Sequence, residues 1–259
     1  MIAILRKIIC LLMGVFVSYC CSNLYYVNDP VITANVTKKA DLNLAGGLNA
    51  GNVTSGGHFH GSVAVSNNIF ISSAFSNYSG GCTDRSTVNG VTTDNSIKYS
   101  GQSFLLCGGY YKALGKGFYF EGSVGGKYGN SQNKKSIEDF EYRHVKYIFQ
   151  PGITFTTDYF QSGIAFRFGM IDYLPFKTGS QHIIPEIAKQ SAIPYVDPAI
   201  YLCGGGKYVK AGCQLSYTIA DNSTITYDPL GIFFGGIKSD PLSVSLFIKI
   251  TVPSKKANN

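Results

Sequence analysis

Apolar and polar residues alternate along much of this chain, most clearly over residues 209–219. A period of two is what a β-strand produces, because successive side chains point to opposite faces of a sheet. The preceding Gly204-Gly205-Gly206-Lys207 stretch lets the chain reverse, since glycine adopts positive φ without steric cost. Residues 195–220 are therefore predicted to form a β-hairpin with one apolar and one polar face.

The same plan recurs through the rest of the chain. About eleven segments between residues 41 and 252 carry a strand pattern, and residues 31–36 would make a twelfth. Polar stretches at 78–96 and 130–139 are expected to be loops, and long connections alternate with short ones. Repeated hairpins predict an all-β fold, an up-and-down antiparallel β-barrel of about 10–12 strands, whose strands are long enough to cross a bilayer at a tilt. A soluble antiparallel sandwich or barrel is the alternative.

The composition gives the chain few charges. Charged residues make up 14% of the 259 residues, against about a quarter in a soluble domain, whereas 45% are hydrophobic. The formal net charge is +7, and no Lys/Arg run is denser than Lys134-Lys135 or Lys255-Lys256. A mild and dispersed excess of this kind indicates solubility and no nucleic-acid partner.

The first twenty residues are typical of a secretory signal peptide. Arg6 and Lys7 precede an apolar run, residues 8–17, that is too short to span a bilayer as a helix. The run ends near Cys20 and Cys21 in a pattern similar to a bacterial lipoprotein cleavage site, so that Cys21, or else Cys20, is the candidate lipid anchor. Ordinary signal-peptidase cleavage with incidental cysteines is the alternative. The predicted organisation is a signal peptide over 1–20, a tether over 21–39, a β-barrel domain over 40–252 and a polar tail over 253–259.

Several strand-like segments carry a resemblance to a known family. They are Cys21 to Tyr26, Lys38 to Leu42, Gly56 to Val65 followed by Asn67-Asn68-Ile69, Phe149 to Ile153, Phe160 to Phe168, and Asp197 to Lys210. Over most of residues 21–252 the chain resembles the small outer-membrane β-barrel lipoproteins of Bacteroidota. The resemblance implies an outer-membrane barrel tethered by lipid in the envelope of a Gram-negative bacterium, and it implies no known activity.

Charged and amide side chains on the polar faces are candidates to line the lumen of such a barrel. They are Glu121, Lys127, Arg167, Lys210, Gln214 and Lys249. One hypothesis is that they form a charged lumen that binds anions or small polar solutes. The other is that they pair with one another and fill a narrow barrel.

Other candidate chemistry is weak. His58 and His60 share one face of a strand and could supply two ligands of a zinc site, but polar residues at a barrel end would give the same pattern. The sequence has no G-x-S-x-G nucleophile motif, and no cofactor is expected. Four cysteines remain after the leader and the anchor, and their spacing favours neither a particular disulfide pairing nor free thiols: Cys82, Cys107, Cys203 and Cys213.

The leading functional hypothesis is a non-enzymatic outer-membrane lipoprotein with a structural or interaction role, whose partners are outer-membrane lipid and envelope proteins. A porin-like or ligand-binding barrel that admits small polar solutes is the second hypothesis. A barrel hydrolase of envelope lipid is the third.

Overall fold

The computed structural model describes residues 26–27, 30–31, 33–51, 54–88, 91–135, 139–174, 177–178, 192–220, 239–240 and 242–253. It contains ten long strands, which are labelled in chain order. They are β1 (Leu42–Ala50), β2 (Thr54–Ala64), β3 (Ile69–Val88), β4 (Val91–Gly115), β5 (Phe118–Lys135), β6 (Asp139–Thr156), β7 (Phe160–Tyr173), β8 (Ile193–Gly205), β9 (Val209–Tyr217) and β10 (Leu242–Val252).

The ten strands form one closed barrel. Each strand pairs antiparallel with the next strand in the chain, and β10 closes the sheet by pairing antiparallel with β1, where Val252 lies opposite Leu42. The prediction of an all-β up-and-down barrel of about 10–12 strands is therefore confirmed. None of the described residues lies in a helix that is long and apolar enough to cross a membrane.

Three two-residue strands accompany the barrel. Tyr26–Val27 pairs in parallel with Ser239–Asp240, Lys177–Thr178 pairs with β6, and Ile219–Ala220 pairs with β8.

The two ends of the barrel differ in their connections. At the short-turn end, β2–β3, β4–β5, β6–β7 and β8–β9 are joined by residues 65–68, 116–117, 157–159 and 206–208. At the long-loop end, β7–β8 and β9–β10 are joined by residues 174–192 and 218–241. Because the strands alternate in direction, β1 begins and β10 ends at the short-turn end.

Two of the predicted loops are mostly strand, so the sequence-based prediction was wrong there. β3 continues to Val88, and β4 begins at Val91. In the same way, β5 continues to Lys135, and β6 begins at Asp139. Strands that are polar on both faces lose the apolar–polar alternation, so these strand ends cannot be recognised from the pattern of residues. Residue 31 and residues 33–36, suggested as a twelfth strand, do not form one. The sequence also predicts a strand at residues 230–237, which lie outside the described residues.

The barrel is apolar outside and polar inside. On β5, Phe118, Val124 and Tyr128 are exposed on the outer face, whereas Glu121 and Lys127 are buried on the inner face. A soluble barrel has the opposite arrangement, because it buries its apolar side chains in its interior.

Glycines on the inner face make room for large rings on neighbouring strands. A Cβ added at Gly163 would lie 2.5 Å from the Tyr201 ring, and one added at Gly169 would lie 2.6 Å from the Tyr195 ring. The inward side chains therefore fill the barrel by alternating large and small residues across adjacent strands.

Candidate functional site in the barrel lumen

The chain that precedes β1 runs through the inside of the barrel. Tyr26–Val27 pairs with Ser239–Asp240, just before β10 begins at the long-loop end. At the short-turn end, the amide of Ala40 donates to the carbonyl of Ala64, the last residue of β2, at 2.8 Å. Residues 30–31 and 33–40, called the plug segment below, cross the lumen between these points and overlap the predicted tether over 21–39. Four apolar members of the segment are buried: Pro30, Val31, Ala34 and Val36.

Glu121 on β5 holds the middle of the plug segment. Its carboxylate accepts the amide of Ala34 at 3.0 Å and the amide of Asn35 at 2.8 Å. Asn35 has a positive φ of 50°, which favours two successive amides pointing at one anionic group. From β1, the Asn43 amide nitrogen donates to the carbonyls of Ala34 and Asn35 at 3.0 and 2.8 Å. The backbone amides and carbonyls of Ala34 and Asn35 are therefore all hydrogen-bonded to side chains of the barrel wall.

The long-loop half of the plug segment is held by two further strands. On β9, in the amide orientation that satisfies both groups, the Gln214 nitrogen donates to the Val31 carbonyl at 2.9 Å and its oxygen accepts the Val31 amide at 2.6 Å. On β7, the Arg167 Nη2 atom donates to the Pro30 carbonyl at 2.8 Å. Arg167 also pairs through Nη1 with Asp197 on β8 at 3.3 Å, and the two side chains are 2% and 0% exposed. A buried cation with its own counter-ion therefore anchors the plug segment.

Side-chain packing completes the fit. Tyr201 on β8 donates from its hydroxyl to the Asn35 Oδ1 atom at 2.6 Å. Ala34 and Val36 cluster with Ala64, Phe70 and Tyr111 of the wall.

Near the short-turn end, the Asp41 carboxylate accepts three hydrogen bonds from Thr37 and Lys38, a few residues earlier in the chain. It accepts the Thr37 amide at 3.1 Å, the Thr37 hydroxyl at 2.9 Å and the Lys38 amide at 2.8 Å. These bonds form a tight turn that leads from the plug segment into β1.

Every residue predicted as lumen-lining has its side chain buried inside the barrel: Glu121, Lys127, Arg167, Lys210, Gln214 and Lys249. Glu121, Arg167 and Gln214 contact the plug segment directly, as described above. Lys249 instead donates to the Gln161 Oε1 atom at 2.8 Å, and Lys210 donates to the Lys207 carbonyl at 3.3 Å. Lys210 and Lys249 also lie opposite each other on β9 and β10.

Among the described residues, the interior carries an excess of positive charge, even when Asp41, buried just before β1, is counted. Of the charged side chains that the described part of the barrel strands buries, five are cationic and two are anionic: Lys127, Lys146, Arg167, Lys210 and Lys249 against Glu121 and Asp197. Glu121 is engaged by plug amides and Asp197 by Arg167.

His58 and His60 lie in the middle of β2 and not at a barrel end. Their rings stack with centroids 6.2 Å apart and an interplanar angle of 8°. In the described part of the chain, no group of three or more His, Cys, Asp or Glu residues could hold a metal ion. His182, in the long β7–β8 connection, lies outside the described residues.

The three cysteines whose side chains the structure describes are not joined by disulfides. Cys107 and Cys203 are free and buried, and Cys213 is free and exposed. Cys213 lies opposite Leu202, so Cys203 and Cys213 point to different faces of the sheet. The side chain of Cys82, and the candidate anchors Cys20 and Cys21, lie outside the described part.

A small cavity remains between the plug segment and the wall. Its volume is about 20 Å³, and Pro30 forms part of its lining. The polar lining residues come from β2, β3, β4, β5 and β7: His58, His60, Ser76, Ser103, Lys127 and Arg167. This volume is enough for one water-sized species.

Sequence reasoning found inward-facing side chains of the wall but missed the segment that they hold. The short alternation at residues 31–36 indicated a strand rather than a segment inside the barrel, and Glu121 lies 87 residues from Ala34 in the chain. The one available signal was the unusual number of charged residues on faces that a narrow barrel must enclose, because buried charges need partners.

Comparisons with known proteins give a likeness of architecture. No protein-family model and no curated protein matches the sequence. OmpT, an outer membrane protein of Vibrio cholerae, aligns with 10% identity and a TM-score of 0.31. The alignment covers 77% of this chain and 56% of OmpT, and the values are the same for its in-vitro folded and its outer-membrane expressed form. The chain thus matches little more than half the length of OmpT. The deltaS2S3 mutant of TodX, a monoaromatic hydrocarbon channel, aligns with 8% identity and a TM-score of 0.37 over 85% of this chain and 68% of TodX. The likeness is one of β-barrel architecture.

Proposed function

We propose that this chain is an outer-membrane β-barrel lipoprotein with a structural or interaction role in the cell envelope, that it is not an enzyme, and that its plug segment keeps the lumen closed. The observation that carries the proposal is the plug segment itself. Side chains from β1, β5, β7, β8 and β9 bind its backbone or side chains inside the barrel. A lumen filled in this way does not provide a wide aqueous path.

The outer surface supports the membrane location. Among the outward-facing side chains that the structure describes, the charged ones lie outside the middle of the wall, at Lys98, Lys112, Lys134, Glu141, Arg143 and Asp172. Between them, a band of exposed apolar and aromatic side chains crosses the strands, as at Phe59, Phe104, Val124 and Phe166, and exposed polar residues such as Asn77 and Gln102 lie nearer the long-loop end. On β5 this apolar belt runs from Phe118 to Tyr128, which at about 3.3 Å per residue and a tilt of about 35–45° is roughly 25 Å tall. That height matches the hydrocarbon core of a bilayer.

A charge placed in the belt tests the membrane location. Val124, which is 61% exposed in the middle of β5, would be replaced by Arg. In a bilayer, Val124→Arg is expected to lower the free energy of unfolding by about 2–4 kcal/mol, because an arginine at the midplane must leave water. A soluble barrel would change by less than about 0.5 kcal/mol. Tyr159→Arg, at an exposed position of the β6–β7 turn, is the control, and equal stability of both variants in lipid would contradict the proposal.

Lipid anchoring is tested separately by membrane fractionation. The native chain would be compared with a Cys20→Ala, Cys21→Ala variant after carbonate and urea washes. The proposal predicts that the native chain incorporates labelled fatty acid, that the variant does not, and that both stay in the membrane. If the variant is washed off, lipid is the sole attachment and the barrel is not integral.

A porin-like function for small polar solutes is the second candidate, and one observation favours it. The described plug residues, unlike the wall strands, take part in no β-ladder with the barrel. Apart from the backbone bond between Ala40 and Ala64 at one end, side-chain contacts hold these residues, so the segment can leave without breaking the wall. Conductance in a planar bilayer separates the candidates, since a closed barrel gives rare, brief openings and a porin gives a steady current.

A further inference from the structure

The wall of the lumen binds the main chain of the plug segment. The carbonyl of Pro30 and both the amide and the carbonyl of Val31, Ala34 and Asn35 are hydrogen-bonded to wall side chains. Every residue except proline carries the same two main-chain groups, so bonds of this kind suit a peptide of many sequences. The lumen is therefore lined like a peptide-binding site, and the plug segment is the peptide that fills it.

Side-chain packing adds selectivity at three positions of the plug segment. Val31 packs against two alanines of the wall, on β7 and β8. Ala34 and Val36 are 2% and 1% exposed and pack against wall residues of β2, β3 and β4. These contacts favour aliphatic residues at positions 31 and 36 and a small residue at position 34.

The fourth position of selectivity is Asn35. Its φ of 50° is one that asparagine adopts more readily than most residues. Its Oδ1 atom accepts the Tyr201 hydroxyl at 2.6 Å, and its amide nitrogen donates to the Thr33 hydroxyl at 2.6 Å. A peptide that fits this lumen therefore carries an aliphatic residue and, three residues later, a small residue, an asparagine and a second aliphatic residue.

A separate peptide can make the same contacts. The described plug residues share no β-ladder with the barrel, and they lead into β1 through Lys38 and Lys39, which are exposed. We propose that the lumen is a binding site for a peptide segment of another protein with this pattern, and that the plug segment competes with that peptide from within the same chain. The proposal names the partner of the interaction role proposed above and rests on the plugged lumen.

The tether makes the plug segment a strong competitor. A covalently attached segment competes at an effective concentration on the order of millimolar. The native chain is therefore expected to bind an added peptide weakly, and a chain whose own plug segment cannot seat should bind the peptide well.

Asn35→Pro in the full-length chain vacates the site without changing the wall. Proline cannot adopt a φ of 50° and has no amide to donate to Glu121. Hydrogen exchange of the plug amides in detergent measures seating, and fluorescence anisotropy measures binding of a labelled peptide with the sequence of residues 30–39. In Asn35→Pro the plug amides should exchange faster than in the native chain, and the peptide should bind saturably and at least about tenfold more tightly. Ala34→Tyr, whose ring overfills the packed position, serves if Asn35→Pro does not fold.

Peptides methylated on one amide nitrogen test the recognition of the main chain. Methylation of the amide of residue 34 or 35 should weaken binding roughly tenfold or more, because a hydrogen bond to the Glu121 carboxylate is lost. Methylation at Lys39, which is exposed, is the matched control and should leave the affinity unchanged. A peptide with the sequence of residues 30–39 in reverse order should not bind.

Each other outcome is decisive. Equal affinity of the methylated, reversed and unmodified peptides would contradict the proposal, as would plug amides that stay protected in Asn35→Pro. If those amides exchange but the peptide does not bind, the peptide site is refuted and the closed lumen of the native chain stands. If the plug amides of the native chain exchange freely, the closed lumen itself is refuted. Because the assays are run in detergent, they do not depend on the membrane location or the lipid anchor.

Discussion

Replacing Glu121 by Gln is expected to unseat the plug segment while leaving the barrel wall folded. The substitution preserves the shape of the side chain but removes the charge that accepts the amides of Ala34 and Asn35 at 3.0 and 2.8 Å. Glutamine retains one carbonyl oxygen, so one amide keeps a neutral acceptor. The other amide then faces an NH₂ group, which is also a donor.

The size of the effect follows from these two bonds. A hydrogen bond to a charged group contributes about 1.5–3 kcal/mol, a neutral one about 1 kcal/mol, and a buried donor without an acceptor costs about 1–3 kcal/mol. The exchange therefore weakens seating of the plug segment by about 2–4 kcal/mol. That free energy corresponds to a roughly 30- to 900-fold larger unseated population. Glu121 is 5% exposed, so solvent screening does little to reduce this figure.

Single-channel recording in a planar bilayer measures the change. The native protein should be closed most of the time, and Glu121→Gln should raise the open fraction. Deletion of residues 26–39 sets the fully open level. The open state of the deletion variant should prefer anions over cations in a potassium chloride gradient, because the buried wall charges are mainly cationic.

A matched control makes the result specific. Glu141→Gln carries out the same chemical change on an outward-facing position of β6, and it should behave like the native protein. If Glu121→Gln is as closed as the native protein while the deletion variant conducts, the two amide bonds do not hold the plug. If the deletion variant is also closed, side chains of the wall block the lumen by themselves.

Two other predictions concern the stability of the wall and are read by thermal or denaturant unfolding. Gly163→Ala should destabilise the barrel by about 1–3 kcal/mol, because its new Cβ would lie 2.5 Å from the Tyr201 ring. Gly108→Ala is the control and should have a small effect, because no atom lies within 4 Å of its new Cβ. Equal losses of stability in the two variants would show that the Tyr201 ring does not need the space at Gly163. Asp197→Ala should cost about 3–5 kcal/mol, because it leaves Arg167 buried without its counter-ion. Asp158→Ala, which breaks an exposed pair with Lys207 at 3.9 Å, should cost less than about 1 kcal/mol, and a similar loss in both variants would contradict the reasoning.

The sequence predicted those parts of the fold in which the two faces of a strand meet different surroundings. On β9 and β10, polar and apolar residues alternate cleanly, and Lys210 and Lys249 lie inside while Leu246 and Ile248 lie outside. The prediction failed at the far ends of β3 and β4, because a strand that is polar on both faces has no alternation to recognise.

The plug segment could not be predicted for a different reason. Single side chains bind it from strands that are distant in sequence, as in the 166-residue separation between Asn35 and Tyr201. Neither periodicity nor spacing records such contacts. A filled lumen was one of two hypotheses for the charged residues, but its filling by the preceding chain has no local signature.

The path of the plug segment through the barrel has a consequence for the order of assembly. The wall closes where β10 meets β1, and there Thr251 and Asn43, 208 residues apart, share a hydrogen bond of 2.6 Å. Closing so long a loop is entropically costly, which makes this seam a late step. Until it forms, the segment can enter from the side; afterwards it can enter only by threading through one end. A chain that closed the seam before the segment was in place would have a complete wall and an empty interior.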